Sequence, residues 1–198
     1  MVKNKFRNHN IDFCNPKQST NYKNYITYLK QDFHNRCAYC NTLDERVMQN
    51  FEIDHFIPSK VFKDIEPGLE TDYYNLVYSC PKCNRSKGSK CKLGYSNGRY
   101  VNTMFYHPRE IDYNEIFYRN EYGSICSDDS IGIVMINELK LFKPVYALSY
   151  VCERINEVRE LLEQYLSIHT DEEIRHEYNT LNELYGKRMN DLIMIYKY

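Results

Sequence analysis

Two pairs of cysteines constrain the fold of this 198-residue chain more than any other feature. Cys37 and Cys40 form one C-x2-C pair, and Cys80 and Cys83 form the other. Because two intervening residues let both sulfurs of a pair face one ion, two such pairs suit a tetrahedral zinc site. The alternatives are ordinary buried cysteines or a redox-active pair. The duplicated spacing and the lack of a thioredoxin-like βαβ pattern favour structural Zn²⁺.

The cellular context supports metal binding over disulfide formation. No secretory signal is visible at the start of the chain, and no apolar run is long enough for a membrane helix. We therefore expect a cytoplasmic protein without a membrane partner, in which paired cysteines bind metal. Most of the remaining cysteines are expected to be small hydrophobic side chains: Cys14, Cys91, Cys126 and Cys152. Cys91 is close enough to the second pair to compete as a ligand, but its spacing is poor.

The segment between the two pairs contains the residues that bear on function. Glu52–Ile57 is rich in β-branched and aromatic residues and precedes Pro58, which predicts a short strand containing Asp54 and His55. Residues 74–79 are expected to be extended, and residues 84–88 to open a short helix or loop. Each of these residues also has an ordinary structural explanation. Taken singly, Asp54 would be a turn residue, Asn75 a loop cap and Asn84 a helix N-cap.

Taken in order, these segments resemble the HNH endonuclease family. The family pattern is a cysteine knuckle, a D-H-x-x-P strand, an N-L segment and a C-x-x-C-N-x-x-K end. This chain matches it at Cys37–Cys40, Asp54–Pro58, Asn75–Leu76 and Cys80–Lys87. The resemblance implies an α+β fold with a ββα-metal core and a structural zinc ion.

The resemblance also implies the roles of individual residues. His55 would be the general base, Asp54 and Asn84 would hold a catalytic divalent cation, and Asn75 would brace the loop that orients His55. The third signature position is Asn84 rather than histidine, a common variant of the family, and a neutral amide binds metal more weakly than an imidazole. The preference between Mg²⁺ and Mn²⁺ therefore stays open.

Phosphodiester hydrolysis is consistent with these residue types. Histidine can accept a proton from water at neutral pH. A hard cation suits one carboxylate plus one amide oxygen, and it stabilises charge on the leaving oxygen. Since adjacent strand residues point to opposite faces, Asp54 and His55 can act together only where their strand ends.

The distribution of charge indicates a nucleic-acid partner, although the net charge is only -1. Residues 1–36 are basic, residues 82–99 contain no acidic side chain, and the chain from Glu153 onward is mainly acidic. This asymmetry favours one face for a phosphate backbone. Within the basic stretch we expect Arg85 and Lys87 to contact phosphate.

The spacing of apolar residues predicts the secondary structure on both sides of the HNH core. It predicts an amphipathic helix over residues 19–35 and a helical hairpin near the C terminus, with a capping box at Thr170–Glu173 starting its second helix. A β-hairpin is predicted over Ile116–Cys126. The predicted organisation is a basic N-terminal segment, an HNH core, an irregular extension containing the hairpin, and a helical hairpin: 1–36, 37–92, 93–148 and 149–198.

Two functional hypotheses follow. The first is a metal-dependent endonuclease acting on DNA in a restriction or antiphage setting, since HNH proteins of Septu-type systems work with an ATPase. This chain has no P-loop, so ATP dependence would come from a partner. The C-terminal helices are expected either to pack onto the nuclease core or to dock that ATPase or a second copy. The second is a non-catalytic zinc-containing nucleic-acid-binding or adaptor module, which needs neither His55 nor a divalent cation.

Overall fold

The computed structural model describes residues 2–46 and 49–197. The chain divides into two compact units, of which the first ends at Phe142 and the second begins at Lys143. The second unit thus begins before the predicted boundary at residue 149, because its first helix starts earlier than the apolar periodicity indicates. Both helices and strands are present, in agreement with a mixed α and β fold.

The first unit contains seven strands and five α-helices within the described residues. In chain order they are β1 (Asn4–Lys5), α1 (Ile26–Asp32), β2 (Glu52–His55), α2 (Ser59–Phe62), β3 (Leu76–Ser79), α3 (Pro81–Lys87), β4 (Leu93–Ser96), β5 (Arg99–Asn102), α4 (Tyr113–Ile116), β6 (Tyr118–Arg119), β7 (Ile125–Cys126) and α5 (Ser130–Glu138).

Strands β2 and β3 pair antiparallel, with Asp54 opposite Val77 and His55 opposite Leu76. Helix α3 follows β3 after one residue, because Cys80 has an extended backbone and Pro81 supplies the fixed φ angle that suits a first helical position. The predicted short helix or loop at residues 84–88 is therefore a helix that starts earlier, at Pro81.

Helix α1 packs against this pair of strands and forms the core with it. Leu29 of α1 and Leu76 and Val77 of β3 are fully buried. Within the predicted helix over residues 19–35, the structure has a 3₁₀ turn at Tyr22–Tyr25 before α1 begins. The spacing of Tyr25 and Leu29 places them on the same face of this helical segment, and that face is the buried one.

A three-stranded sheet, in the order β1, β6 and β7, fixes the N-terminal segment. Asn4 pairs with Arg119, and the ring of Phe6 lies 5.3 Å from that of Phe117. The β6–β7 hairpin has its turn between Asn120 and Gly123, as the sequence predicts.

The β4–β5 hairpin corrects the prediction of an irregular segment after residue 92. Its turn is Asn97-Gly98, with φ angles of 51° and 79°. Positive φ at both central residues is the geometry that an Asn-Gly dipeptide favours in a two-residue hairpin. The hairpin therefore forms because this dipeptide supplies the turn that its two short strands require.

The second unit consists of two helices that pack on each other, α6 (Pro144–Leu166) and α7 (Glu172–Lys197). Arg159 of α6 lies over the ring of Tyr185 in α7, 4.6 Å from its centroid. Asp171, rather than Thr170 as predicted, caps α7, because its side chain accepts from the Ile174 N–H at 3.1 Å. None of the described helices has the length and apolar composition that a membrane crossing requires.

Gly132 and Gly186 provide a test of packing in the two units. A Cβ atom on Gly132, in α5, would clash with Ser127 Oγ and lie 2.8 Å from Ile116 Cγ2. Ser127 cannot move freely, since its hydroxyl donates to the Ile116 carbonyl at 2.6 Å. We expect Gly132→Ala to lower the free energy of unfolding by about 1–3 kcal/mol through overpacking.

Gly186 is the matched control, because a Cβ atom added to it in α7 would have no atom of the described residues within 4 Å. Gly186→Ala should stabilise the protein by roughly 0.5–1 kcal/mol, the usual gain for replacing a helical glycine. Urea unfolding of both variants, followed by circular dichroism, measures the difference. A stabilised Gly132→Ala protein would contradict the packing described for α5.

Candidate active site and metal centre

The four predicted cysteine ligands come together in one buried cluster. The sulfur atoms of Cys37, Cys40, Cys80 and Cys83 all lie within 4.8 Å of one another. The Cys40 and Cys80 sulfurs are 3.8 Å apart. Since a tetrahedral zinc ion binds sulfur at roughly 2.3 Å, its ligands are about 3.8 Å apart. The cluster therefore has the size and donor set of a zinc site and could hold a metal ion.

Neighbouring groups fix the cluster. The Cys80 sulfur accepts from the Cys83 N–H at 3.4 Å, which caps α3. Arg119 of β6 donates to the Cys40 carbonyl at 2.9 Å and so ties the first knuckle to the three-stranded sheet. The remaining cysteines lie outside the cluster, and no second group of three or more cysteine, histidine or carboxylate ligands occurs in the described part of the chain.

The thiols of the cluster differ in acidity. Burial raises the pKa of the Cys80 and Cys83 thiols well above the ordinary value, and hydrogen bonding to Cys37 raises them further. Burial also opposes ionisation of Cys37, but hydrogen bonds from the other three cysteines lower its pKa well below that value. Binding of a cation requires that the buried thiols lose their protons, so metal binding and proton release are coupled here.

His55 stands at the end of β2 with one ring nitrogen already bound. Its Nε2 lies 3.0 Å from the backbone oxygen of Glu70. A carbonyl oxygen can only accept, so Nε2 carries the proton and Nδ1 of the neutral ring is left as a proton acceptor. The ring also contacts Tyr22, edge-on at 4.8 Å, and Phe62 at 5.5 Å. These contacts fix the tautomer and the ring plane.

Asn75 joins the two segments that flank His55. Its Oδ1 accepts from the Ile57 N–H at 2.8 Å, and its Nδ2 donates to the carbonyls of Ile57 at 3.2 Å and Leu69 at 3.0 Å. Ile57 follows His55 in the chain, whereas Leu69 precedes Glu70, whose carbonyl holds the imidazole. The buried amide is therefore a clamp between the exit of β2 and the segment that fixes the His55 ring.

Asp54 is buried and both of its oxygens are hydrogen-bonded. Tyr39 donates to Oδ2 at 2.5 Å, and the Lys87 ammonium lies 3.0 Å from Oδ1. Burial raises the pKa of Asp54, while Lys87 and Tyr39 act in the opposite direction. Tyr39 lies inside the first knuckle, and no spacing in the sequence indicates that it would reach Asp54.

The placement of Lys87 differs from its predicted role. The sequence predicts a phosphate contact, but the Lys87 side chain is 0% exposed and also donates to the His55 carbonyl at 2.7 Å. A phosphate contact by Lys87 is not compatible with this enclosed position. Arg85, two residues earlier on α3, is exposed to solvent.

Asn84 lies beside Glu52 at the rim of the site. The Asn84 Nδ2 donates to Glu52 Oε2 at 2.5 Å, which links α3 to the start of β2. The bond uses the amide nitrogen, whereas a cation would use the amide oxygen. Glu52 is exposed and Asp54 is buried, so these two carboxylates of β2 differ in their access to water.

Comparison with known proteins identifies the domain. Residues 37–90 match the model of the HNH endonuclease family. The chain carries an HNH domain. The chain is also 36% identical over 56 residues to the Septu protein PtuB of Bacillus thuringiensis. That match covers 28% of this chain and 20% of the relative, so the chain spans about a fifth of that protein. No solved structure shows a significant match.

Replacing Cys80 and Cys83 with serine tests the metal centre. The double variant should lose its bound metal and unfold the core, because binding of a structural zinc ion contributes about 10 kcal/mol or more to folding. Metal content by mass spectrometry and far-ultraviolet circular dichroism measure the two effects.

Cys126→Ser is the matched control, because Cys126 lies outside the cluster. We expect it to keep the metal content and the fold of the native chain. A well-folded Cys80→Ser/Cys83→Ser protein would refute the structural role of the cluster.

Proposed function

We propose that the chain is a metal-dependent HNH endonuclease of the cytoplasm that hydrolyses phosphodiester bonds in DNA. The orientation of His55 is the main support. Its Nε2 is held by the Glu70 carbonyl, and the Asn75 side chain binds Ile57 and Leu69 on either side of this contact, so Nδ1 is available as a fixed base. A family match over residues 37–90 supports the same conclusion.

In this proposal His55 Nδ1 takes the proton from the attacking water, and Asn75 maintains the position of the ring. Asp54 and Asn84 would hold the cation, Mg²⁺ or Mn²⁺, which supplies charge stabilisation at the leaving oxygen. One carboxylate and one amide oxygen suit such a hard ion. The Lys87 ammonium already binds one oxygen of Asp54, so a cation would share this carboxylate with it.

The four cysteines have a separate role, in which Zn²⁺ holds the two knuckles together and takes no part in the chemistry. The ion would be fully enclosed, since all four ligands are buried. A closed set of four thiolates leaves no open position for water, which is typical of structural rather than catalytic zinc.

The biological setting is inferred from the likeness to a Septu protein. We infer a defence role and a partner protein, either an ATPase or a second copy, docked on the C-terminal helices. Exposed apolar side chains on α6 and in the following loop, such as Leu161 at 65% and Ile168 at 80% exposure, support a docking surface. Because an unregulated DNase would damage its host, we expect low activity from the isolated chain.

A non-catalytic module is the alternative that one observation favours. Lys87 already neutralises Asp54, so a zinc-containing adaptor could keep this buried pair permanently and never bind a second cation. Arg85 and the basic N-terminal segment would still attract nucleic acid. The two functions differ in whether DNA cleavage depends on His55.

Plasmid cleavage with Mg²⁺ or Mn²⁺ distinguishes these functions. We expect His55→Ala to lower the cleavage rate by about 10²–10⁴-fold, the usual contribution of a general base, with the zinc content unchanged. His176→Ala is the matched control, since His176 lies on α7 and belongs to the second unit.

The reaction should be repeated with the proteins encoded by neighbouring genes. Cleavage that is equal in His55→Ala and native protein would rule out the proposed base. DNA binding without cleavage under every condition would favour the adaptor. Vigorous cutting of any plasmid by the isolated chain would contradict the expected dependence on a partner.

Asn75→Asp tests the clamp. The carboxylate keeps the acceptor for the Ile57 N–H but removes both N–H donors, those to the Ile57 and Leu69 carbonyls. Because a small misplacement of a catalytic group can cost about 10²-fold in rate, we expect kcat to fall by that order while DNA affinity and zinc content stay constant.

Asn24→Asp, at an exposed position of the 3₁₀ turn before α1, controls for the added negative charge. Single-turnover cleavage gives the rate, and fluorescence anisotropy gives the affinity for DNA. If Asn75→Asp weakens DNA binding instead of slowing cleavage, Asn75 acts in substrate binding rather than in orienting His55.

A further inference from the structure

Helix α3 lies along strand β2 in a register that pairs two side chains of each. Asn84 and Lys87 are three residues apart and therefore lie on the same face of the helix. Glu52 and Asp54 are two residues apart and lie on the same face of the strand. Asn84 Nδ2 donates to Glu52 Oε2 at 2.5 Å, and Lys87 Nζ donates to Asp54 Oδ1 at 3.0 Å. The two candidate cation ligands, Asp54 and Asn84, thus have different partners across this contact.

Regular secondary structure fixes the backbone at both ends of the bond between Glu52 and Asn84. Glu52 pairs with Ser79 at the start of the ladder between β2 and β3. The Asn84 N–H donates to the Cys80 carbonyl at 3.0 Å, and the Asn84 carbonyl accepts from the Gly88 N–H at 2.8 Å. The direction of the Asn84 amide therefore depends on its side-chain torsion angles, which the bond to Glu52 restrains.

The Glu52 carboxylate determines which atom of the Asn84 amide faces it. An ionised carboxylate can only accept hydrogen bonds, so the amide atom beside it is the nitrogen. Because the amide group is planar, its Oδ1 lies on the other side of Cγ and is turned away from Glu52. A hard cation binds an amide through its oxygen. With the opposite orientation, the amide would present its N–H groups in place of that oxygen and could not hold the ion.

We propose that Glu52 is a positioning residue, which keeps Oδ1 of Asn84 available to the divalent cation. Glu52 would act through the amide of Asn84 rather than as a ligand of the ion. This inference rests on the proposed function, because it concerns the cation of the same site. It assigns a role to an exposed carboxylate that the predicted set of site residues does not contain.

The exposed position of this bond allows it to be removed without disturbing the core. Glu52 is exposed and Asn84 is half-buried. Replacing Glu52 should therefore leave the fold and the zinc content unchanged, unlike replacement of Lys87, whose side chain is 0% exposed. A change of cation affinity in a Glu52 variant that is folded and loaded with zinc can then be attributed to the site.

Binding of Mn²⁺ to the zinc-loaded chain tests the proposal without measuring cleavage. Electron paramagnetic resonance detects free Mn²⁺ and so gives the Kd in a titration. We expect Glu52→Ala to raise this Kd about tenfold, the effect of losing one charge-assisted hydrogen bond. Glu52→Gln should restore most of the affinity, because its amide oxygen can accept from the same Nδ2. Glu121→Ala, which removes an exposed carboxylate from the turn between β6 and β7, should leave the Kd unchanged.

A double-mutant cycle with Asn84→Ala distinguishes positioning from direct binding of the ion. If Glu52 acts through Asn84, adding Glu52→Ala to Asn84→Ala should not raise the Kd further, because the amide is already absent. A carboxylate that bound the ion itself, or attracted it by charge, would weaken binding again in the double variant. Plasmid cleavage should agree: Glu52→Ala should raise the Mg²⁺ concentration at half-maximal rate and retain the rate at saturating Mg²⁺.

Three results would overturn the inference and leave the proposed nuclease intact, since the nuclease is tested through His55. They are a native Kd in Glu52→Ala, a Glu52→Gln protein that binds Mn²⁺ no better than Glu52→Ala, and additive losses of affinity in the double variant. Absence of Mn²⁺ binding by the native chain is a different outcome, because it would overturn the candidate cation site together with this inference.

Discussion

The four-sulfur cluster is the contact on which the first unit depends. It joins two knuckles that are about forty residues apart in the chain, and thereby closes the segment containing β2 and β3 into a loop. Strands of four residues in a two-stranded sheet are not stable alone. Their geometry is maintained by α1 on one side and by the cluster, which also sets where α3 begins, because Cys80 is both a cluster member and the cap of that helix.

Both knuckles also reach Asp54. Tyr39 lies within the first knuckle, and Lys87 lies at the end of the helix that starts from the second, yet their polar atoms meet on the same buried carboxylate. Lys87 in turn bonds to the backbone of His55. The candidate active site is therefore attached to the cluster through two side chains, which explains how a small loop-rich domain can hold a histidine in a defined orientation.

The features that could be predicted from the sequence are those that spacing alone determines. Two C-x2-C pairs and a D-H strand are short-range patterns, so the cluster and the extended segment around Asp54 could be anticipated. The burial of Lys87 could not, because it depends on how α3 folds back against β2. The β4–β5 hairpin is different, since Asn97-Gly98 is a local signal that is sufficient to predict its turn.

The bond between Tyr39 and Asp54 has a consequence for how the chain matures. A newly synthesised chain acquires Tyr39 and Asp54 well before Cys80 and Cys83 have been added. Lys87, the second partner of Asp54, is added after both cysteines of the second knuckle, at the end of α3. Both oxygens of the Asp54 carboxylate can therefore be hydrogen-bonded only after the second knuckle and the helix that follows it have been synthesised.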